Sequence, residues 1–388
     1  MKETMSSPVD RPSISPRNDD PRPRQIVPVK AWATVGALIL AAVGFVFIRW
    51  MTSPYFTTTP SGPSDPPAWM KICLVAMQII LPLGELGLIC WFVVRPWLQD
   101  RRIGADGILV IAFATLFFWD PISSYAGHWF TYNSWLFNKG SWLHSVPGSL
   151  AFGKPGQEQA YPLLVIPGAY VCIFMLTVAL GGWVMRTARS RMPRIGTFGL
   201  LVITYPVMVL FDVVFEGIVF EPMGAWSYPG AHLALFEGTY HAFPLSEALT
   251  TGLLFTGWAA LRYFTNDHGQ MVSERGIEEI GGSQVKKTLL RALATAGIAH
   301  VIFFCTYNLP NTWMGLHSSE WPKDVQERSY LTDHLCGASV NRACPGPGIP
   351  IPRNDNSNRD GGSAYLDANG NLVVPPGTHV GPSFPYQR

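Results

Sequence analysis

Three acids interrupt one of the most apolar stretches of the chain, VMVLFDVVFEGIVFEPMG, at Asp212, Glu216 and Glu221. An ionised carboxylate deep in hydrocarbon costs roughly 3 kcal/mol even on the lenient insertion scale, so acids kept in such a stretch point to use. Asp212 and Glu216 are four residues apart and project from one helical face. Two carboxylates held close in a low dielectric cannot both ionise cheaply, so one should keep its proton at neutral pH. That pair is equipped as a general acid and a general base. Glu221 precedes Pro222, which ends the helix, and is read as interfacial. Asp120, Glu247 and Glu85 are further acids in apolar surroundings, and His300 is a titratable group of the same kind. Any one of these acids could pair with an Arg, Tyr or Trp donor and only fix packing. Five acids across four apolar segments exceed what packing needs.

The elements that must position them are long apolar helices. The chain has 388 residues, 48% hydrophobic and 14% charged, with its apolar residues concentrated in blocks, the composition of a membrane protein. A net charge of +2 and the lack of a dense Lys/Arg run exclude a nucleic-acid footprint. Windows of about 20 apolar residues, the length that crosses the hydrocarbon core, fall at Ala31 to Ile48, Ile72 to Val94, Gly107 to Tyr125, Leu163 to Met185, Phe198 to Phe220, Leu245 to Phe264 and Leu289 to Leu309. The expected fold is therefore all-α, a polytopic bundle of seven transmembrane helices in a cell membrane. Positive charge follows the second span (Arg95, Arg101, Arg102) and the fourth (Arg186, Arg189, Arg191, Arg194), and precedes the seventh (Lys286, Lys287, Arg291). These connections should be cytoplasmic, placing the N-terminus inside and the C-terminus outside.

Residues 1–30, rich in Pro, Ser and charge, read as a disordered cytoplasmic tail. The bundle covers 31–310, an extracytoplasmic segment packed on it covers 311–344, and 345–388 is a loosely ordered tail. The first span follows a polar leader and runs into IRWMTSPYF with no small-residue cleavage site, so it should stay. Pro206 should kink the fifth span.

By rise per residue, Asp120, Glu216 and Glu247 fall in the outer half of their spans, with Glu85, Asp212 and His300 nearer the middle. Two long outer connections, GHWFTYNSWLFNKGSWLHSVPG and MGAWSYPGAHLALFEGTYHAF, carry aromatic residues every few positions. They should lie back on the bundle as lids or interfacial helices, enclosing a water-poor pocket suited to a large apolar substrate. The catalytic candidates are Asp212 and Glu216 as the acid/base pair, with Asp120 and Glu247 as second acid or cation stabiliser. Tyr132, Asn133, Trp135, His300 and Asn308 are candidates for binding substrate.

Other chemistries find no support. The histidines show no pair at three- or four-residue spacing, so no metal site is expected. The seventh span has no lysine for a Schiff base, and no phosphate loop, nucleophile elbow or dinucleotide fingerprint occurs in a credible context. The tail's DANGN starts like a calcium loop at Asp367, but Leu372 and Thr378 occupy the positions that require Gly and an acid, so a hairpin turn is expected. Cys73, Cys90, Cys172 and Cys305 fall within spans as small hydrophobes, whereas Cys336 and Cys344 lie on the side assigned as oxidising and are candidates for a disulfide. A seven-helix transporter or sensor of a hydrophobic molecule is the alternative reading, although no repeat between halves is visible.

The strings IRWMTSPYF, DPISSYAGHWFTYNSWLFNKGSW, SYPGA, LRYFTNDHG with ERG following, and YNLPNTWMGLHSSEWPKDVQERSYLTDHLCG run in order from the first span to about Cys344. In them the chain resembles the AveC-type spirocyclases of actinobacterial polyketide pathways. The resemblance implies an enzyme that closes a dihydroxy-ketone of a macrolide precursor into a spiroketal of set stereochemistry, some relatives also removing water. It implies no cofactor, a hydrophobic small-molecule substrate and contact with membrane lipid, and leaves the oligomeric state open. It supplies no catalytic residues, so those above rest on depth and spacing alone.

Overall fold

The structure, a computed structural model, describes residues 27–124, 128–149, 151, 153–332, 335–337 and 343–347, together with the backbone of 365–366 and 372–373. It is mostly helical. The long helices are α1 (Pro28–Met51), α2 (Ala68–Ile89), α3 (Ala105–Phe113), α4 (Ile166–Arg191), α5 (Thr197–Asp212), α6 (Leu245–Tyr263) and α7 (Gln284–Phe303). Several run on in other helical registers: α2 through Asp100, α3 through tight turns to Ser124, α5 through a π-helical segment Val213–Phe220 to Met223, and α7 through Phe304–Asn308 to Gly315.

Among the described residues, six helical runs are long and apolar enough to cross a membrane. They are Pro28–Met51, Ala68–Asp100, Ala105–Ser124, Ile166–Arg191, Thr197–Met223 and Gln284–Gly315, and each overlaps one of the expected spans. α6 is the exception. Ser246, Glu247, Thr250, Thr251, Thr256 and Arg262 fall within its 19 residues and lower its hydropathy, while Leu245, Leu249 and Leu253 remain exposed on one side. The leader up to residue 26, assigned as disordered, lies outside the described residues, as does most of the tail. Within the tail Tyr365 pairs with Val373 and Leu366 with Leu372 across the segment read as a hairpin turn.

Small residues set the closest helix crossings. A Cβ on Gly36 of α1 would sit 1.9 Å from the Leu293 carbonyl oxygen of α7, and one on Gly297 would sit 2.4 Å from that of Trp32. Backbones approach this closely where side chains are absent, which gains dispersion contact in a setting without a hydrophobic drive. Gly181 of α4 meets Ala259 of α6, Met208 and Thr204 in the same way. Pro206 sits within α5, which continues six residues past it before the register widens at Val213.

One end of the bundle is covered by a cap. The two aromatic connections meet there as a short antiparallel ladder, β1 (Thr131–Tyr132) against β2 (Trp226–Ser227). The expected interfacial helices are replaced by this ladder and short turns because the aromatic side chains point inward: Trp129, Phe130, Tyr132, Trp142, Trp226 and Tyr228 are buried. Trp142 stands among Phe47, Trp50 and Tyr161, with ring centroids 5.0, 5.4 and 4.5 Å away. The segment after α7 packs on the cap through buried Trp321, Val325 and Tyr330, and Ser134 donates its amide to the Tyr330 carbonyl at 2.7 Å. Cys336 is bonded to Cys344.

Candidate active site

Beneath the ladder lies a cavity with about 700 Å³ of empty space, its open mouth included, walled by α4, α5, α6, α7 with its Phe304–Asn308 extension, the Val213–Phe220 segment and the cap. Its surface is mainly aromatic and aliphatic, and three carboxylates, Asp120, Asp212 and Glu216, face into it.

Each acid is placed by a specific local feature. Asp120 caps the tight turn Leu116–Trp119, in which α3 narrows and so turns its end inward. Its carboxylate accepts hydroxyl hydrogen bonds from Tyr132 of β1 and Tyr170 of α4. Asp212 is the last residue of α5 before the register widens, and its Oδ2 has no hydrogen-bond partner among the described residues. Glu216 accepts from the Tyr228 hydroxyl at 2.7 Å and the Trp226 indole at 3.2 Å, both on Oε1. The four-residue spacing therefore survives the change to π register, and both members of the pair reach the same cavity.

Glu247 does not line the cavity. It is fully buried one layer behind the wall, accepting from Trp129 (3.1 Å), Thr251 (3.1 Å) and Asn311 (3.0 Å). Thr251 lines the cavity, so Glu247 orients a wall hydroxyl. Glu85, on α2, is partly exposed and takes no part in the wall.

Of the expected binding residues only Tyr132 faces the cavity. Asn133 folds into the cap instead, donating to the Gly224 carbonyl at 2.8 Å and accepting the Trp135 amide at 3.1 Å. Trp135 is half-buried on the flank of the cap, with the Lys71 ammonium 5.8 Å from its ring centroid. His300 joins α7 to the end of α3: its Nδ1 accepts from the Trp119 indole at 2.6 Å, and its Nε2 is 3.0 Å from the Thr115 hydroxyl. Asn308 donates to the Trp119 carbonyl (2.8 Å) and the Ser123 hydroxyl (2.7 Å). His300 and Asn308 thus pin the segment that carries Asp120, because a helix narrowed to tight turns leaves polar groups that neighbouring helices must satisfy.

Glu221, read as interfacial, is fully buried within the protein, where Gly224, in the left-handed region at φ 74°, reverses the chain and folds the cap back over it. It lies close enough to Glu216 for their charges to interact. Tyr170, Tyr228 and Tyr307 were missed altogether. A single Tyr in an apolar run or an aromatic loop carries no local signal, and only tertiary packing brings all three to the cavity and gives Tyr170 and Tyr228 their carboxylate partners. Among the described residues no group of three or more His, Cys, Asp or Glu side chains is placed to hold a metal ion.

A further buried acid, Glu158, lies away from the cavity, in the cap. Glu158 Oε2 is 3.3 Å from His144 Nδ1, both side chains are buried, and Tyr55 stacks on the imidazole at 4.1 Å. Burial pushes the Glu158 carboxyl up to about 9 and the His144 imidazole down to about 4.

Fold and site define a helical membrane protein with a carboxylate- and tyrosine-lined cavity closed under an aromatic cap. A family model described as spirocyclase AveC-like matches residues 100–331, more than half of the chain, and the chain belongs to that family. The matched region contains every cavity carboxylate. No curated protein and no solved structure matches the chain.

Proposed function

We propose that the protein is a cell-membrane spiroketal cyclase that acts on a hydrophobic, polyketide-like dihydroxy-ketone by carboxylate acid/base catalysis. The observation that carries this reading is the convergence of Asp120, Asp212 and Glu216 on one apolar-walled cavity in a member of a spirocyclase family. In this reading α6 is the seventh span. Its 19 residues measure about 28 Å at 1.5 Å per residue, close to the hydrocarbon thickness. The Arg- and Lys-rich connections then place the N-terminus in the cytoplasm and the cap outside.

The reaction needs two proton-coupled steps. A protonated carboxyl gives its proton to the ketone oxygen while one substrate hydroxyl attacks the carbonyl carbon and loses its proton to a carboxylate, forming a hemiketal. Protonation of the hemiketal hydroxyl then releases water and leaves an oxocarbenium-like centre. The second hydroxyl attacks that centre, and its proton returns to a carboxylate. The net change is dihydroxy-ketone to spiroketal plus one water. Asp212, with its unpartnered Oδ2, is assigned the proton donation. Glu216 is assigned the base, and Asp120, presented by two tyrosines, the stabilisation of developing positive charge. An aromatic wall holds the two hydroxyls near the carbonyl and keeps water from competing. Elimination of a further water by the same groups would make the enzyme a dehydratase as well.

Membranes containing the protein, incubated with a dihydroxy-ketone, should yield a product lighter by one water. Asp212→Asn and Glu216→Gln should each lower turnover by about 10²- to 10⁴-fold. Unchanged turnover in both variants would remove these carboxylates from the mechanism.

A further inference from the structure

The cavity is shut at both ends and open at one side. Phe130, Tyr132, Trp226 and Tyr228 roof it beneath the cap, and all are buried. At the other end Leu254, Phe255, Phe174 and Phe303 close it, with Phe174 centred 6.1 Å from Phe255 and 6.2 Å from Phe303. The partly exposed lining residues are Tyr170, Ile173, Phe215, Glu216 and Phe220. All five lie on just two elements, α4 and the Val213–Phe220 segment. Every other wall residue is buried.

The chain geometry explains the gap. α4 is held against α5 and α6 where Gly181 meets Met208, Thr204 and Ala259, toward the far end of the bundle from the cap. That close packing is not continued onto Val213–Phe220, where the register widens. A π register brings residues five apart into line. Phe215 and Phe220 accordingly stack along one side of the opening, ring centroids 4.6 Å apart, with Phe211 5.0 Å from Phe215. Ile173 and Tyr170 of α4 form the other side. Beside the opening the exposed side chains Val214, Ile218 and Val219 are all apolar and all on the outer surface of a candidate span. Such a rim faces acyl chains, not water.

We propose that substrate enters the cavity sideways from the acyl-chain region of the bilayer, through the slot between α4 and Val213–Phe220, without passing through the cap. This rests on the reading of the cavity as a site for a hydrophobic hydroxy-ketone, and it adds the route and the gate residues Ile173, Phe215 and Phe220. It also orders the encounter. Glu216 is the one cavity carboxylate with partial exposure, so it meets the incoming hydroxyls first, while Asp120 and Asp212 lie deeper.

The test reads binding, not turnover, so it is separable from the enzymatic reading. Protein in proteoliposomes is photolabelled with a membrane-partitioned alkyl ketone carrying a diazirine, and labelled peptides are identified by mass spectrometry. Labelling should fall on the slot residues and on the cavity peptides that contain Phe255 and Tyr307. Ile173→Trp and Phe220→Trp, which narrow the slot, should each abolish the cavity labels. Leu176→Trp, on the same lipid-facing surface but off the slot, should retain them and shows that an added indole on α4 does not itself unfold the site. A charged diazirine ketone supplied from the aqueous phase should leave the cavity unlabelled. Cavity labelling that persists in both narrowing variants, or that the charged probe matches, would overturn the proposal.

Discussion

The Tyr228 hydroxyl donates to Glu216 Oε1 at 2.7 Å, a contact that ties the cap strand β2 to the acid on the π segment. The Trp226 indole donates to the same oxygen at 3.2 Å, so two residues of one cap segment fix a single carboxylate. The cap therefore orients the site as well as covering it. Removing one hydrogen bond to a charged group costs about 1.5–3 kcal/mol. Tyr228→Phe should accordingly lower kcat by roughly 10- to 100-fold with little change in KM, since the fold and the cavity volume are kept. Steady-state kinetics on purified protein in nanodiscs would check this, and an unaltered kcat would show that Glu216 needs no orientation by the cap.

His300 should prove structural. It ties Trp119 and Thr115 to α7 at 2.6 and 3.0 Å and has no face on the cavity. His300→Phe leaves the half-buried Trp119 indole without its acceptor, at a cost of about 0.5–1.5 kcal/mol in stability. The expected outcome is a lower melting temperature in detergent and an unchanged pH dependence of turnover for the molecules that remain folded. A shifted pH profile would make His300 part of the proton chemistry.

The His144–Glu158 pair predicts how the cap responds to pH. Its 3.3 Å separation would suit an ion pair, yet burial pushes each group toward its neutral form. The neutral pair, with a protonated carboxyl facing the imidazole, binds the same single proton as the ion pair would. Folded, the two groups together hold one proton from about pH 4 to about pH 9. Unfolded, they hold two protons below the ordinary glutamate value of 4.5, one between 4.5 and the ordinary histidine value of 6.5, and none above. Stability should therefore be highest between those two ordinary values. It should fall as pH rises further, with a limiting slope of about 1.4 kcal/mol per pH unit, because the folded pair keeps a proton that the unfolded chain releases. Melting temperatures across this range should show the decline in the native protein and its loss in Glu158→Gln.

The bond between Cys336 and Cys344 closes a loop with a sequence separation of eight. Chain-entropy reasoning for so short a loop gives about 2–3 kcal/mol of stabilisation. Cys336→Ser should lower the melting temperature of the cap by a corresponding margin, and dithiothreitol should have no further effect on that variant. Thiol titration of the unreduced, denatured protein should find four reactive cysteines of the six in the chain.

Much of this architecture was legible without coordinates, and what was legible follows one rule. Apolar blocks of about 20 residues must become helices in lipid because no other single-segment structure satisfies their backbone. That constraint placed six spans, and the helical period alone brought Asp212 and Glu216 to one face. The aromatic spacing of the two long connections likewise announced a cover over the bundle. α6 was read as a span equal to the others, but its polar residues leave it outside the six runs that are long and apolar enough to cross a membrane.

What only the tertiary structure decided is which polar residues share a space. Asn133, Trp135, His300 and Asn308 have the same side-chain chemistry as true wall residues, and nothing in their local sequence separates a group that holds the scaffold from one that faces substrate. Glu247 and Glu221 show the same limit. The first sits a layer behind the cavity because Trp129, Thr251 and Asn311 surround it, and the second is buried because a positive φ at Gly224 turns the cap over it. Period and hydropathy are properties of a few turns of chain, so sequence alone carries them. Convergence of Asp120, Asp212 and Glu216 joins residues 92 and 96 positions apart through helix crossings and a widened register, and only the packed molecule settles that.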